Sequence, residues 1–141
     1  MPTNADRYAV DTSVAVAALD AGHAAHAACR AAIKEHRPSL AGHAAFETFS
    51  VLTRMPGPLA VDAPTAADVI ARMFPVIDWL DPADASALVG RLGTIGITGG
   101  AVYDALVGEA ARKLNARLMT RDRRAQRTYD LIGVAYDFVG P

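Results

Sequence analysis

The sequence predicts an α/β fold: a three-layer α/β/α sandwich with a mainly parallel central sheet. Three observations carry this. Short β-branched or aromatic runs alternate with longer Ala-rich helical runs along the whole chain. Gly, Pro, Asp and Ser punctuate nearly every junction. The chain has 141 residues, 52% of them hydrophobic and many of those Ala, enough for one domain with a core of small side chains. Strands alternating with helices imply parallel βαβ units, with the sheet between helix layers.

Each element has a local reason. Residues 7–10 read as a strand ending at Asp11, and Asp11-Thr12-Ser13 supplies helix-start chemistry for a helix over 14–19. Residues 26–36 form an Ala-rich helix stopped before Pro38. Residues 39–41 read as a strand and 44–54 as a helix, closed by Pro56-Gly57-Pro58. A helix over 65–74 begins with Thr65 and Asp68 as its capping pair. Residues 76–80 read as a strand. Asp81-Pro82 opens a helix reaching about residue 92. A turn over 93–97 and Thr98-Gly99-Gly100 lead to a helix over 101–115. A strand over 116–120, a helix over 123–131 and a strand over 133–136 complete the chain, and residues 1–141 read as a single domain.

Composition excludes several classes. The single cysteine, Cys29, leaves no intrachain disulfide framework or cysteine-based zinc site, and reads as a small buried helix residue. The stretch Met1-Pro2-Thr3-Asn4-Ala5-Asp6-Arg7 lacks a signal peptide's basic-then-apolar order. Charges interrupt every apolar run well short of the ~18 residues a membrane helix needs. A cytoplasmic protein with no membrane partner is the expectation. Aromatics at 6% argue against a broad base-stacking platform.

Four acids interrupt apolar surroundings: Asp11, Glu47, Asp104 and Asp122. A lone buried carboxylate is costly and tends to neutralise. Four that converge repel one another unless a cation joins them, and oxygen-only ligands suit Mg²⁺ or Mn²⁺. Asp11 and Asp122 directly follow strands, where sites of parallel sheets lie. Asp104 sits inside a helix, a poor place for Asp. Its neighbours Gly100, Ala101, Val107 and Gly108 are small enough to leave a hollow around it. Glu109 stands four residues before Lys113, ordinary surface spacing, and receives no chemical role.

The bland alternatives are helix caps for Asp11 and Asp122, and buried arginine partners for Glu47 and Asp104. His23, His26, His36 and His43 show no common metal spacing and read as surface or helix-end residues. Half the basic residues lie between Arg112 and Arg127, with Asp122 as the only acid among them. On a chain of net charge −1 this is a local footprint for phosphate, one that positions a strand without reading sequence. Arg121, Arg123 and Arg124 are the candidate contacts to a phosphate backbone.

Four segments together resemble a known family: Val10-Asp11-Thr12-Ser13-Val14, Phe46-Glu47-Thr48-Phe49-Ser50-Val51-Leu52-Thr53-Arg54, Tyr103-Asp104-Ala105-Leu106-Val107 and Leu118-Met119-Thr120-Arg121-Asp122-Arg123-Arg124-Ala125. In order and spacing they are similar to PIN-domain ribonucleases, VapC-type toxins of toxin–antitoxin pairs in particular. No single motif is specific; the ordered set of four is. The resemblance implies an endoribonuclease using Mg²⁺, or Mn²⁺, held by the acids matching Asp11, Glu47, Asp104 and Asp122. A hydroxyl at Ser13 assists. It also implies a homodimer, a cognate antitoxin partner, attack by activated water, and products with 5′-phosphate and 3′-hydroxyl ends. Gly96-Ile97-Thr98-Gly99-Gly100 departs from the more polar version common in the family.

Three rivals fit less well. A haloacid-dehalogenase-type phosphotransferase wants a second Asp where Ser13 stands. A receiver-like signalling domain wants an acidic pair at the start and a lysine near the end, yet the only lysines are Lys34 and Lys113. A non-catalytic PIN-like binding module does not need all four acids.

Overall fold

A computed structural model describes residues 7–141. The stretch Met1 to Asp6, most of the segment read above for signal-peptide character, lies outside the described residues. The elements are β1 (Tyr8–Val10), α1 (Thr12–Leu19), α2 (His26–His36), β2 (Ser39–Ala41), α3 (Ala44–Arg54), α4 (Ala63–Met73) and β3 (Ile77–Asp78). They continue with α5 (Pro82–Ile95), α6 (Ala101–Lys113), β4 (Arg117–Thr120), α7 (Gln126–Ile132) and β5 (Tyr136–Phe138). Short 3₁₀ turns cover Gly57–Leu59 and Arg123–Ala125.

The five strands form one sheet in the order β3-β2-β1-β4-β5, and every pairing is parallel. Ala9 stands opposite Ser39 on one side and Leu118 on the other. Helices α1 to α4 pack on one another, as do α5 to α7, and the two groups sandwich the sheet. This is the predicted α/β class. The core is built from Ala9, Val10, Leu40, Ala41, Leu118 and Met119 of the strands, with Ala15, Ala18, Ala44, Ala105 and Ala111 of the helices, all buried. Alanine at those facing positions lets helix backbones approach the sheet closely. No helix among the described residues is long and apolar enough to cross a membrane.

Topology places the site. From β1 the chain moves outward to β2 and β3, then crosses back to β4 on the other side of β1. The strand order thus reverses between β1 and β4, and a crevice opens beyond the carboxyl ends of strands at such a point. Asp11 follows β1 and Asp122 lies two residues past β4.

Several local expectations shift. Asp62, not Thr65 with Asp68, caps α4: its carboxylate accepts from the Thr65 N–H at 2.8 Å. Pro64 suits a first helical turn, so the helix begins upstream of Thr65. Asp68 instead pairs with Arg72 one turn on. The strand expected over 76–80 shrinks to two residues, because β3 is an edge with one neighbour. Helix α5 continues through Ile95 to Gly96, whose φ of 78° closes it in the left-handed conformation. The strand expected over 133–136 begins at Tyr136: Gly133 (φ 87°) caps α7 and the Val134 N–H still bonds the Tyr129 carbonyl.

Glu109 is a larger correction. It is buried at 3% exposure, and Lys113 turns instead to Asp84 at 3.3 Å. Glu109 accepts from Arg91 at 2.7 Å and from Arg112 at 2.6 Å, tying α5 to α6. The Arg112 bond first, and then Arg91, hold its carboxyl below the usual range against the opposing effect of burial. Spacing along one helix could not reveal the arginine arriving from the neighbouring helix.

Candidate active site

The four acids arrive from four separate segments and line one open cavity of about 800 Å³. Asp11 supplies it from the end of β1, Glu47 from the first turn of α3, Asp104 from the first turn of α6, and Asp122 from just beyond β4. The local sequence explains each placement. Gly42, with φ 46°, turns the chain from β2 into α3; a Cβ there would stand 3.1 Å from the Asp78 carbonyl. Gly99, with φ 62°, turns it into α6. Asp104 thus sits in a first turn and not in the helix interior that the sequence suggests, and there a carboxylate suits the helix dipole.

Asp11 is the most constrained. At 3% exposure its carboxylate accepts hydrogen bonds at both oxygens. Oδ1 receives the Ser13 hydroxyl and, at 3.3 Å, the Val14 N–H. Oδ2 receives the Thr120 hydroxyl and, at 2.8 Å, the Tyr129 hydroxyl. Burial pushes its carboxyl above the ordinary range, and those hydrogen bonds oppose the push. Ser13 in turn accepts the Arg121 N–H at 2.8 Å, and Thr120 accepts the Asp122 N–H at 3.0 Å. The ends of β1 and β4 are therefore locked together through two hydroxyls. Burial, then the charge of Asp11, pushes the Tyr129 hydroxyl far up, so it remains a proton donor.

Asp104 reports how close the acids are. Its carboxyl is pushed up to about 6, by burial first and then by Asp122, Glu47 and Asp11, with Arg124 opposing. Glu47 is steadied by the Thr12 hydroxyl at 3.2 Å. Asp122 accepts the Arg124 N–H at 3.0 Å and its guanidinium at 3.3 Å. Among the described residues, no three His, Cys, Asp or Glu side chains stand close enough to hold an ion as they are.

The bland alternatives hold in part. Asp11 is the N-cap of α1 and Asp122 that of the following 3₁₀ turn, yet both also face the cavity. Glu47 and Asp104 have no arginine salt-bridge partner among the described residues. Gly108 does not border the hollow expected around Asp104, whereas Gly100, Ala101 and Val107 do. Gly108 is packed against the Tyr129 ring instead.

The three arginines differ. Arg124 is exposed and lines the cavity. Arg123 lies over the Phe138 ring at 4.3 Å. Arg121 also lines the cavity, but its guanidinium donates to the Val139 carbonyl at 2.6 Å, holding the end of the chain. Sequence reasoning missed several cavity residues, His23 and Tyr129 among them. His23 lines it, with Nδ1 accepting the Ala25 N–H at 3.0 Å. Tyr129 reaches it through the Asp11 bond. Neither carries a spacing signal.

A parallel sheet with acids converging at its switch point defines an α/β protein with an acidic crevice. The chain belongs to the PIN-domain family, whose model matches residues 8–131. It is 46% identical over 126 residues to Ribonuclease VapC27 of Mycobacterium tuberculosis, covering 89% of this chain and 92% of that one. It is 40% identical over 136 residues to Ribonuclease VapC40 of the same organism, covering 93% and 98%. The fold is shared with FitAcB from Neisseria gonorrhoeae (TM-score 0.61, 14% identity, 92% and 95% covered). It is shared too with VapBC2 from Rickettsia felis bound to a DNA fragment from their promoter (TM-score 0.62, 15% identity, 93% and 97% covered).

Proposed function

We propose that this chain is a VapC-type endoribonuclease toxin that cleaves RNA with a divalent cation, Mg²⁺ or Mn²⁺. The observation that carries the reading is that Asp11, Glu47, Asp104 and Asp122 line one cavity. Relatives with 40–46% identity that bear the name ribonuclease support it.

The donor set fits such a cation. All four acids are hard oxygen donors, the kind Mg²⁺ and Mn²⁺ prefer. Burial first, and then the like charges of Asp122, Glu47 and Asp11, raise Asp104; a cation among them would offset the repulsive part. When bound, a divalent cation supplies a nucleophilic water near neutral pH and offsets charge on the leaving oxygen.

The residues take distinct roles. Asp11 and Asp104 are the principal ligands. Asp122 ligates directly or through water. Glu47, steadied by Thr12, orients the attacking water or helps hold a second ion. Ser13 is the one side-chain donor to Asp11 Oδ1 among the described residues, and its half-buried hydroxyl assists by holding that oxygen. Arg124, with Arg123 further out, meets the RNA phosphates; Arg121 does so through what its tie to Val139 leaves free. A cognate antitoxin, a homodimer and a cytoplasmic setting complete the proposal. The likeness to FitAcB and VapBC2 supports a toxin–antitoxin context.

Purified protein incubated with mixed RNA tests this. Cleavage is expected with Mg²⁺ or Mn²⁺, lost in EDTA, and lost in Asp11→Asn, leaving 5′-phosphate ends. Undiminished cleavage in EDTA, or full activity in Asp11→Asn, overturns it.

A further inference from the structure

Asp11 is held by more than the two hydroxyls beside it in sequence or on the neighbouring strand. The third comes from α7: the Tyr129 hydroxyl, 118 residues away in sequence, donates to Oδ2 at 2.8 Å. The Tyr129 ring is buried at 1% exposure, so the side chain is fixed by packing. What makes room for it is Gly108 on α6. A Cβ there would stand 3.1 Å from Tyr129 Cδ1 and 3.4 Å from Val134 Cγ1.

The two oxygens of Asp11 are held differently. Oδ2 is gripped by two buried side chains, Thr120 and Tyr129. Oδ1 has a half-buried serine hydroxyl and a long 3.3 Å N–H bond. A hydroxyl can rotate away, whereas a buried tyrosine ring cannot swing without disturbing the core. Groups that orient a ligand are as much part of a metal site as the ligand itself.

We infer that Tyr129, seated against Gly108, is a positioning residue that pins Oδ2 of Asp11 so that Oδ1 faces the cavity as the oxygen offered to a divalent cation. The inference rests on the proposed cation site. It adds that α6 and α7 set the orientation of a carboxylate at the end of β1. Among the four donors to Asp11, Tyr129 is the one held by a buried ring on another helix, so its grip on Oδ2 persists if the half-buried Ser13 hydroxyl turns away.

The test is Mn²⁺ binding to the purified full-length protein without RNA, by calorimetry or by the loss of free Mn²⁺ signal in electron paramagnetic resonance. Tyr129→Phe keeps the ring and removes only the hydroxyl. Its Mn²⁺ affinity should fall about 10- to 100-fold, with the melting temperature of the cation-free protein little changed. Gly108→Ala keeps the hydroxyl but displaces the ring, and should weaken Mn²⁺ in the same direction. In RNA cleavage both should lower kcat at a fixed Mn²⁺ concentration, with KM for RNA unchanged. If wild type binds Mn²⁺ and both variants bind it as tightly, the positioning role is wrong while the site stands. If wild type itself binds no Mn²⁺, the cation reading falls and this inference falls with it.

Discussion

Replacing Asp104 with Asn should make the cation-free protein more stable while destroying its activity. Asp104 is half-buried, and its carboxyl is pushed up to about 6 from an ordinary 3.8. That difference corresponds to about 3 kcal/mol against the charged form, at about 1.4 kcal/mol per pH unit. Partial exposure and solvent screening reduce the expected effect to about 1 kcal/mol. The sign follows from the direction. A carboxyl raised in the folded state favours folding fully below its unfolded value, near 3.9, and loses that contribution as pH rises through about 6. Asn has no charge to disfavour. Urea denaturation in EDTA at about pH 7.5 should therefore show Asp104→Asn more stable by about 1 kcal/mol. The gap should narrow by about pH 5 and close near pH 3, where wild-type Asp104 is protonated in both states. Adding Mn²⁺ should raise the wild-type midpoint and leave the variant's almost unmoved. A variant no more stable than wild type at pH 7.5, or a gap that stays constant down to pH 3, would refute the burial and like-charge crowding that raise Asp104.

Other outcomes follow from the same geometry. The Thr48 hydroxyl is buried without a hydrogen-bond partner among the described residues, so Thr48→Val should stabilise by about 1 kcal/mol in urea denaturation. Glu109→Ala should cost about 2–3 kcal/mol, less than a fully buried pair because Arg91 and Arg112 are each 38% exposed. Arg124→Gln should weaken RNA binding and flatten its salt dependence by more than Arg123→Gln, whose guanidinium rests on Phe138; filter binding across a salt series reads this. Gly42→Ala should lower stability by about 1–2 kcal/mol, because φ 46° and the nearby Asp78 carbonyl both oppose a Cβ; thermal melting checks it.

The alternation of strands and helices was legible because short β-branched runs and Ala-rich runs differ in period and length. Helix α3 matches its predicted bounds because Gly42 precedes it and Pro56 follows soon after its end. The four acids stood out because each interrupts apolar surroundings, and all four line one cavity, although among the described residues no three are close enough to hold an ion as they stand. Cys29 is buried as read from its helix. What stayed hidden depends on contacts between distant segments. Tyr129 looks like an ordinary core aromatic until α7 brings its hydroxyl to Asp11. Glu109 looks like a surface residue until α5 brings Arg91. Arg121 reads as one basic residue among several until the Val139 carbonyl takes its guanidinium. The edges of elements were misplaced where a cap decides them: Gly96 and Gly133 end their helices in the left-handed conformation, and Asp62 starts its helix ahead of the apolar pattern.

Anomalous scattering from crystals grown with Mn²⁺ would locate the cation outright. The expected result is a peak between Asp11 and Asp104, within reach of Asp122 and Glu47 directly or through water, and weakened in Asp104→Asn. A protein that cleaves RNA in Mn²⁺ yet shows no peak in that crevice, or binds the ion on another face, would contradict the account.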